Sequence, residues 1–122
     1  MIYHQTKGMM LLNTGEWLHG LYAGHGVGKN NPVMQHIKML GPLPQGTYRI
    51  CSPIGHPRLG PFAIKLIPHE DNDMRGRDDF WIHGGSKDPH KAGQESNGCI
   101  IATRAQREVL WATNDLILEV VE

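Results

Sequence analysis

Two side chains able to do covalent chemistry stand sixteen residues apart, His83 and Cys99. The apolar run Phe80, Trp81, Ile82 delivers His83 into the glycine pair Gly84 and Gly85. Ser96, Asn97 and Gly98 lead to Cys99, which opens a second apolar run through Ile100 and Ile101. A free thiol ionises near pH 8.5, so only a few per cent is thiolate at neutral pH. A neighbouring imidazole can take that proton, leaving a thiolate–imidazolium pair whose sulfur attacks a carbonyl. The tetrahedral oxyanion then needs donors, and the N–H groups of Asn97, Gly98 and Cys99 fit that role. Gly98 lets the backbone approach a substrate closely. Gly84 and Gly85 would likewise let a main-chain carbonyl orient the ring in place of an acidic third member.

Several other chemistries fit less well. A zinc site on His83, His90 and Cys99 matches no common ligand spacing, and paired C-x-x-C or H-x-x-x-H motifs are missing, so no metal or cofactor is expected. A nucleobase deaminase needs a cysteine pair beside a proline. A papain-like protease places its cysteine far ahead of its histidine, the reverse of the order here. Gly24, Gly26, Gly28 and Lys29 imitate a phosphate loop, but Asn30, Asn31 and Pro32 follow where a Ser or Thr should open a helix. The plain alternative is that Cys99 starts a core strand and His83 is satisfied by a backbone carbonyl. Cys51, in a strand-like context, reads as a buried inert thiol.

The elements that must position this pair are short. The chain has 122 residues, enough for one domain (1–122) that buries about two thirds of its unfolded surface. Fifteen glycines and eight prolines favour strands joined by tight turns, so a mostly-β, β-rich α+β domain with one or two short helices is expected. Strands are expected over 1–5 and 8–12 as a hairpin around Thr6, Lys7 and Gly8, then over 16–22. Residues 23–32 read as a loop and 32–40 as a short helix with Asn31 as N-cap. A strand over 47–51 points Tyr48 and Ile50 to one face. Residues 52–61 read as irregular, 62–67 as a strand, and 69–79 as a charged solvated loop. Strands follow over 80–83 and 99–102. Thr103 and Gln106 carry a capping-box pattern for a helix to about residue 113, and 116–121 alternates as a closing strand.

Twelve cations balance twelve anions, which gives no electrostatic case for a nucleic-acid partner. Eight histidines would make the molecule cationic in mild acid. No segment has the length of a membrane span, and residues 1–30 lack the zones of a secretory signal. The protein is expected to be made in the cytoplasm and carried elsewhere by other means.

Ile82, His83, Gly84 and Gly85, with Ser96, Gly98, Cys99 and Ile100 thirteen residues beyond the histidine, resemble the signature of the L,D-transpeptidase (YkuD-like) catalytic domain. The blocks at 24–32, 41–50, 56–61 and 74–77 are similar to a narrower toxin branch found among type VI secretion effectors and phage-related proteins. The resemblance implies a compact β-sandwich or barrel whose cysteine attacks an amide of peptidoglycan stem peptides. It implies Cys99 as nucleophile, His83 as base, the Gly84 carbonyl as ring orienter, and Ser96, Asn97 and Gly98 as the oxyanion turn. It further implies action in the periplasm or wall of a target cell, with an immunity protein as partner. Asn97 replaces the motif histidine, and Ile101 replaces an arginine that follows the motif. Arg77 or Arg104 is then the candidate for the substrate carboxylate, and the spacer 86–95 reads as a flap over the site. A catalytically silent module that binds cell wall or phage structure remains the rival reading.

Overall fold

A computed structural model describes residues 1–86, 93 and 95–122. The reading of 86–95 as a flap, and His90, thus fall almost wholly outside the described residues. The expected hairpin forms from β1 (Ile2–His4) and β2 (Met9–Leu11), paired antiparallel with Tyr3 opposite Met10. Alternation decides the register: Tyr3 and Met10 are fully buried, so both point into the core.

The single strand expected over 16–22 is in fact two. β3 (Trp17–Leu18) pairs with β2, whereas β4 (Tyr22–Ala23) leaves for the far end of the sheet. Gly20 at φ +75 breaks the run, because that left-handed conformation cannot continue a strand. The helix expected over 32–40 is a single 3-10 turn, Pro32–Met34. Its N-cap is as read, with the Asn31 side chain accepting from Val33 N. Beyond it Met39 sits at φ 64, which no helix tolerates.

β5 (Gly46–Ile50) buries Tyr48 and Ile50 and exposes Arg49, as the alternation requires. β6 (Ile54–His56) was hidden in the proline-rich stretch read as irregular, and it pairs with β7 (Gly60–Pro68). β8 (Phe80–His83) is buried at all four positions, as a strand covered on both faces must be. β9 (Ile100–Ile101), helix α1 (Arg104–Ala112) and β10 (Ile117–Val121) complete the chain. α1 has its capping box in place: Thr103 accepts from Gln106 N, and Gln106 reaches back to Thr103 N at 2.9 Å.

The fold is mostly β, as expected. Among the described residues the strands run in one ten-stranded sheet in the order β3-β2-β1-β10-β5-β7-β8-β9-β4, with β6 attached to β7. Leu18 at one end of that path and Ala23 at the other belong to the same buried cluster, so the sheet must curl around its core. Two parallel pairings interrupt the antiparallel pattern: β1 with β10, and β8 with β9. The second of these builds the site. α1, which follows β9, packs against β7 and β8.

Candidate active site

The parallel register sets Ile82 beside Ile100 and His83 beside Ile101. Cys99 therefore arrives level with Trp81, one strand away from the histidine. Ala102 N donates to the His83 carbonyl at 3.0 Å and locks the ladder past the imidazole. His83 and Cys99 both line one open pocket of about 670 Å³.

His83 is buried, and its Nδ1 lies 2.8 Å from the Gly84 carbonyl oxygen. A carbonyl can only accept, so Nδ1 carries the proton and a neutral ring keeps Nε2 bare. Burial pushes the His83 pKa below the ordinary histidine value, with the Arg107, His56 and Arg58 charges adding to the effect and the Gly84 bond opposing it. The ring is thus a neutral base at physiological pH.

Cys99 corrects an expectation. A thiolate–imidazolium pair would need a depressed thiol pKa, but burial pushes this thiol up to about 11, offset in part by the Trp81 backbone. Cys99 is only half-buried as a residue, yet the surrounding protein desolvates its sulfur. The thiol donates to the Asp79 carbonyl at 3.9 Å. The resting pair is thiol and imidazole, both uncharged.

Ser96 builds the turn that presents Cys99. It is fully buried, and its hydroxyl is saturated: Oγ donates to the Cys99 carbonyl at 2.5 Å and accepts from Gly24 N at 2.9 Å and Gly98 N at 3.1 Å. His25 Nδ1 adds a bond to the Ser96 carbonyl at 2.8 Å. The Gly98 amide is therefore turned inward and cannot serve an oxyanion as the sequence suggested. The N–H groups of Asn97 and Cys99 donate to no other described residue and keep that role open.

Neither of the two arginines assigned to substrate presents a free guanidinium to the pocket. Arg77 borders the pocket, but its buried guanidinium donates to four backbone carbonyls: Gln35 (2.6 Å), Pro42 (2.7 Å), Gly41 (3.1 Å) and Asn97 (3.0 Å). It fastens the nucleophile turn to residues 35–42. Arg104 is outside the pocket, stacked 4.5 Å over the Phe62 ring and paired with Glu108 at 2.9 Å. Besides Arg77, the pocket is lined by two further cations among the described residues, Arg58 and Lys38, which sequence reasoning passed over. Arg58 is mostly exposed and only 4.0 Å from Asp79, close to the thiol's acceptor. Its one sequence signal was its place inside the block at 56–61.

Glu95 ties the two ends of the spacer together. Its Oε1 accepts from Ser86 N at 3.1 Å, and its Oε2 accepts from the Tyr22 hydroxyl. Among the described residues, no three His, Cys, Asp or Glu side chains are grouped to hold a metal ion. No helix among them is long and apolar enough to cross a membrane.

His83 at the end of β8 and Cys99 just ahead of the parallel strand β9 thus set an imidazole and a thiol along one cleft of a β-rich scaffold. The family model of the Tlde1 domain matches residues 19–121, and the chain belongs to that family, a type VI secretion effector domain family. Such an effector domain fits delivery to target cells and suggests a cognate immunity protein. Neither a curated protein nor a solved structure matches the chain.

Proposed function

We propose that this domain is a cysteine acyltransferase of L,D-transpeptidase type that acts on peptidoglycan stem peptides in the periplasm or wall of a target cell. The observation that carries the reading is the fixed tautomer of His83. Its Nδ1–H is held by Gly84, which leaves Nε2 as the bare base in the pocket that also holds Cys99.

With a stem-peptide carbonyl seated against the sulfur, Nε2 takes the thiol proton as the C–S bond forms. The carbonyl electron pair moves to oxygen, where the N–H groups of Asn97 and Cys99 can receive it. Collapse expels the amine, which leaves with the proton from the imidazolium, and a thioester to Cys99 remains. Water, a D-amino acid or another stem peptide then attacks the thioester, with Nε2 accepting its proton and returning it to sulfur. The outcomes are carboxypeptidase or endopeptidase cleavage, exchange, or transpeptidation.

The protonated resting thiol favours a second reading, a silent module that binds wall peptides without turnover. Mass spectrometry of muropeptides separates the two. Peptidoglycan treated with the wild-type protein should gain shortened or exchanged stem peptides, with and without a free D-amino acid present, and Cys99→Ala should yield none. Identical profiles for the two proteins would leave the binding module standing.

A further inference from the structure

Two guanidiniums are buried in this molecule with no carboxylate partner among the described residues, those of Arg77 and Arg107. Buried charge is costly unless something requires it. Arg77 fastens the nucleophile turn, as described above. Arg107 lies behind the base.

Its Nε donates to the Thr103 carbonyl at 3.3 Å, and its Nη1 donates to the carbonyls of Pro61 (2.9 Å) and Phe62 (2.8 Å). Those carbonyls belong to a strained bend in β7, where Phe62 takes φ 55, unusual for a bulky residue. The remaining nitrogen reaches the histidine's own support. A Cβ built on Gly84 would lie 2.8 Å from Nη2 and 3.6 Å from Cζ, so the guanidinium fills the side-chain space of Gly84. The Gly84 carbonyl is the group that fixes the His83 tautomer.

We propose that Arg107 is a positioning residue for the His83 base: anchored to α1 and to the bend in β7, its guanidinium seats Gly84 so that the Gly84 carbonyl holds Nδ1–H and leaves Nε2 bare. The charge acts in the same direction as the geometry. An acid behind a histidine stabilises the imidazolium, whereas a buried cation opposes it. The groups bearing on His83 are Arg107 from α1, His56 and Arg58 from β6 and the turn after it, and the Gly84 carbonyl. Of the three side chains, Arg107 is the buried one that is always charged.

The inference concerns the base assigned under the proposed function, but its first test needs no turnover. Histidine-labelled protein is titrated by NMR, reading the His83 midpoint and the ring tautomer. Arg107→Met should raise the midpoint toward the ordinary histidine value and mix the two tautomers. Arg107→Lys should keep the midpoint low and still mix them. Gly84→Ala, which displaces the guanidinium without removing its charge, should mix them too. A folded Arg107→Met with unchanged midpoint and tautomer overturns the proposal. Where that variant does not fold, an unchanged tautomer in both Arg107→Lys and Gly84→Ala overturns it equally. If the protein turns over stem peptides, Arg107→Lys should lower kcat about tenfold with KM nearly unchanged, and shift the acid limb of its pH profile little. A loss confined to KM would count against a positioning role.

Discussion

Cys99 and His83 are an uncharged pair at rest, so in the proposed reaction the proton moves with the attack rather than before it. With the thiol pushed up to about 11, about one molecule in ten thousand carries thiolate at neutral pH. Alkylation of Cys99 by iodoacetamide, in a Cys51→Ser background, should therefore climb steadily through pH 9 and 10 and reach half its maximum only near pH 11. A plateau below pH 8 would restore the thiolate–imidazolium pair. These two candidate residues were legible because a thiol, an imidazole and the glycine turns beside them are local in sequence. The charge state was not. Desolvation of a sulfur is a property of what folds over it, and neither Asp79 nor Trp81 is marked by sequence as its neighbour.

The elements were legible where the signal is local and hidden where it is not. The β1–β2 hairpin, the Tyr48/Ile50 alternation and the α1 capping box each declare themselves within a few residues. β6 was lost among prolines because its strand character comes only from pairing with β7. Arg77 misled for a related reason: its four acceptors lie at residues 35, 41, 42 and 97, far away along the chain. Its grip on the nucleophile turn gives a test at Gly98. That residue sits at φ +132, and a Cβ there would come within 2.6 Å of Arg77 Nη2 and 2.8 Å of Phe80 Cε1. The guanidinium cannot swing aside without releasing its carbonyls. Gly98→Ala should cost about 2–4 kcal/mol by urea denaturation, whereas Gly55→Ala, with nothing within 4 Å, should stay within about 0.5 kcal/mol. Equal losses at the two sites would refute the argument.

For the whole molecule, the shifts of this pair contribute to a window of stability. Unfolded, His83 takes up a proton near pH 6.5, which the folded site resists. The folded state therefore loses stability as pH falls below about 6.5. Unfolded, the Cys99 thiol ionises near 9, but in the fold it holds its proton to about 11, so stability also falls as pH rises through that interval. Urea midpoints should be highest between these limits. His83→Gln should flatten the slope near pH 6, and Cys99→Ala should lessen the alkaline one without abolishing it, because Tyr3, Tyr22 and Tyr48 also hold their protons well above the ordinary tyrosine value in the fold. If neither slope lessens in the double variant, other groups are responsible.

The hydroxyl of Ser96 ties its own turn to Gly24, seventy-two residues earlier, since Gly24 N and Gly98 N donate to the same oxygen. Neither amide can open to solvent on its own without leaving that oxygen half-satisfied. In native-state hydrogen exchange, Gly24 and Gly98 should exchange at matched rates and respond alike to denaturant, as one cooperative unit. Ser96→Ala should release both together, and amides in the β1–β2 hairpin should keep their protection.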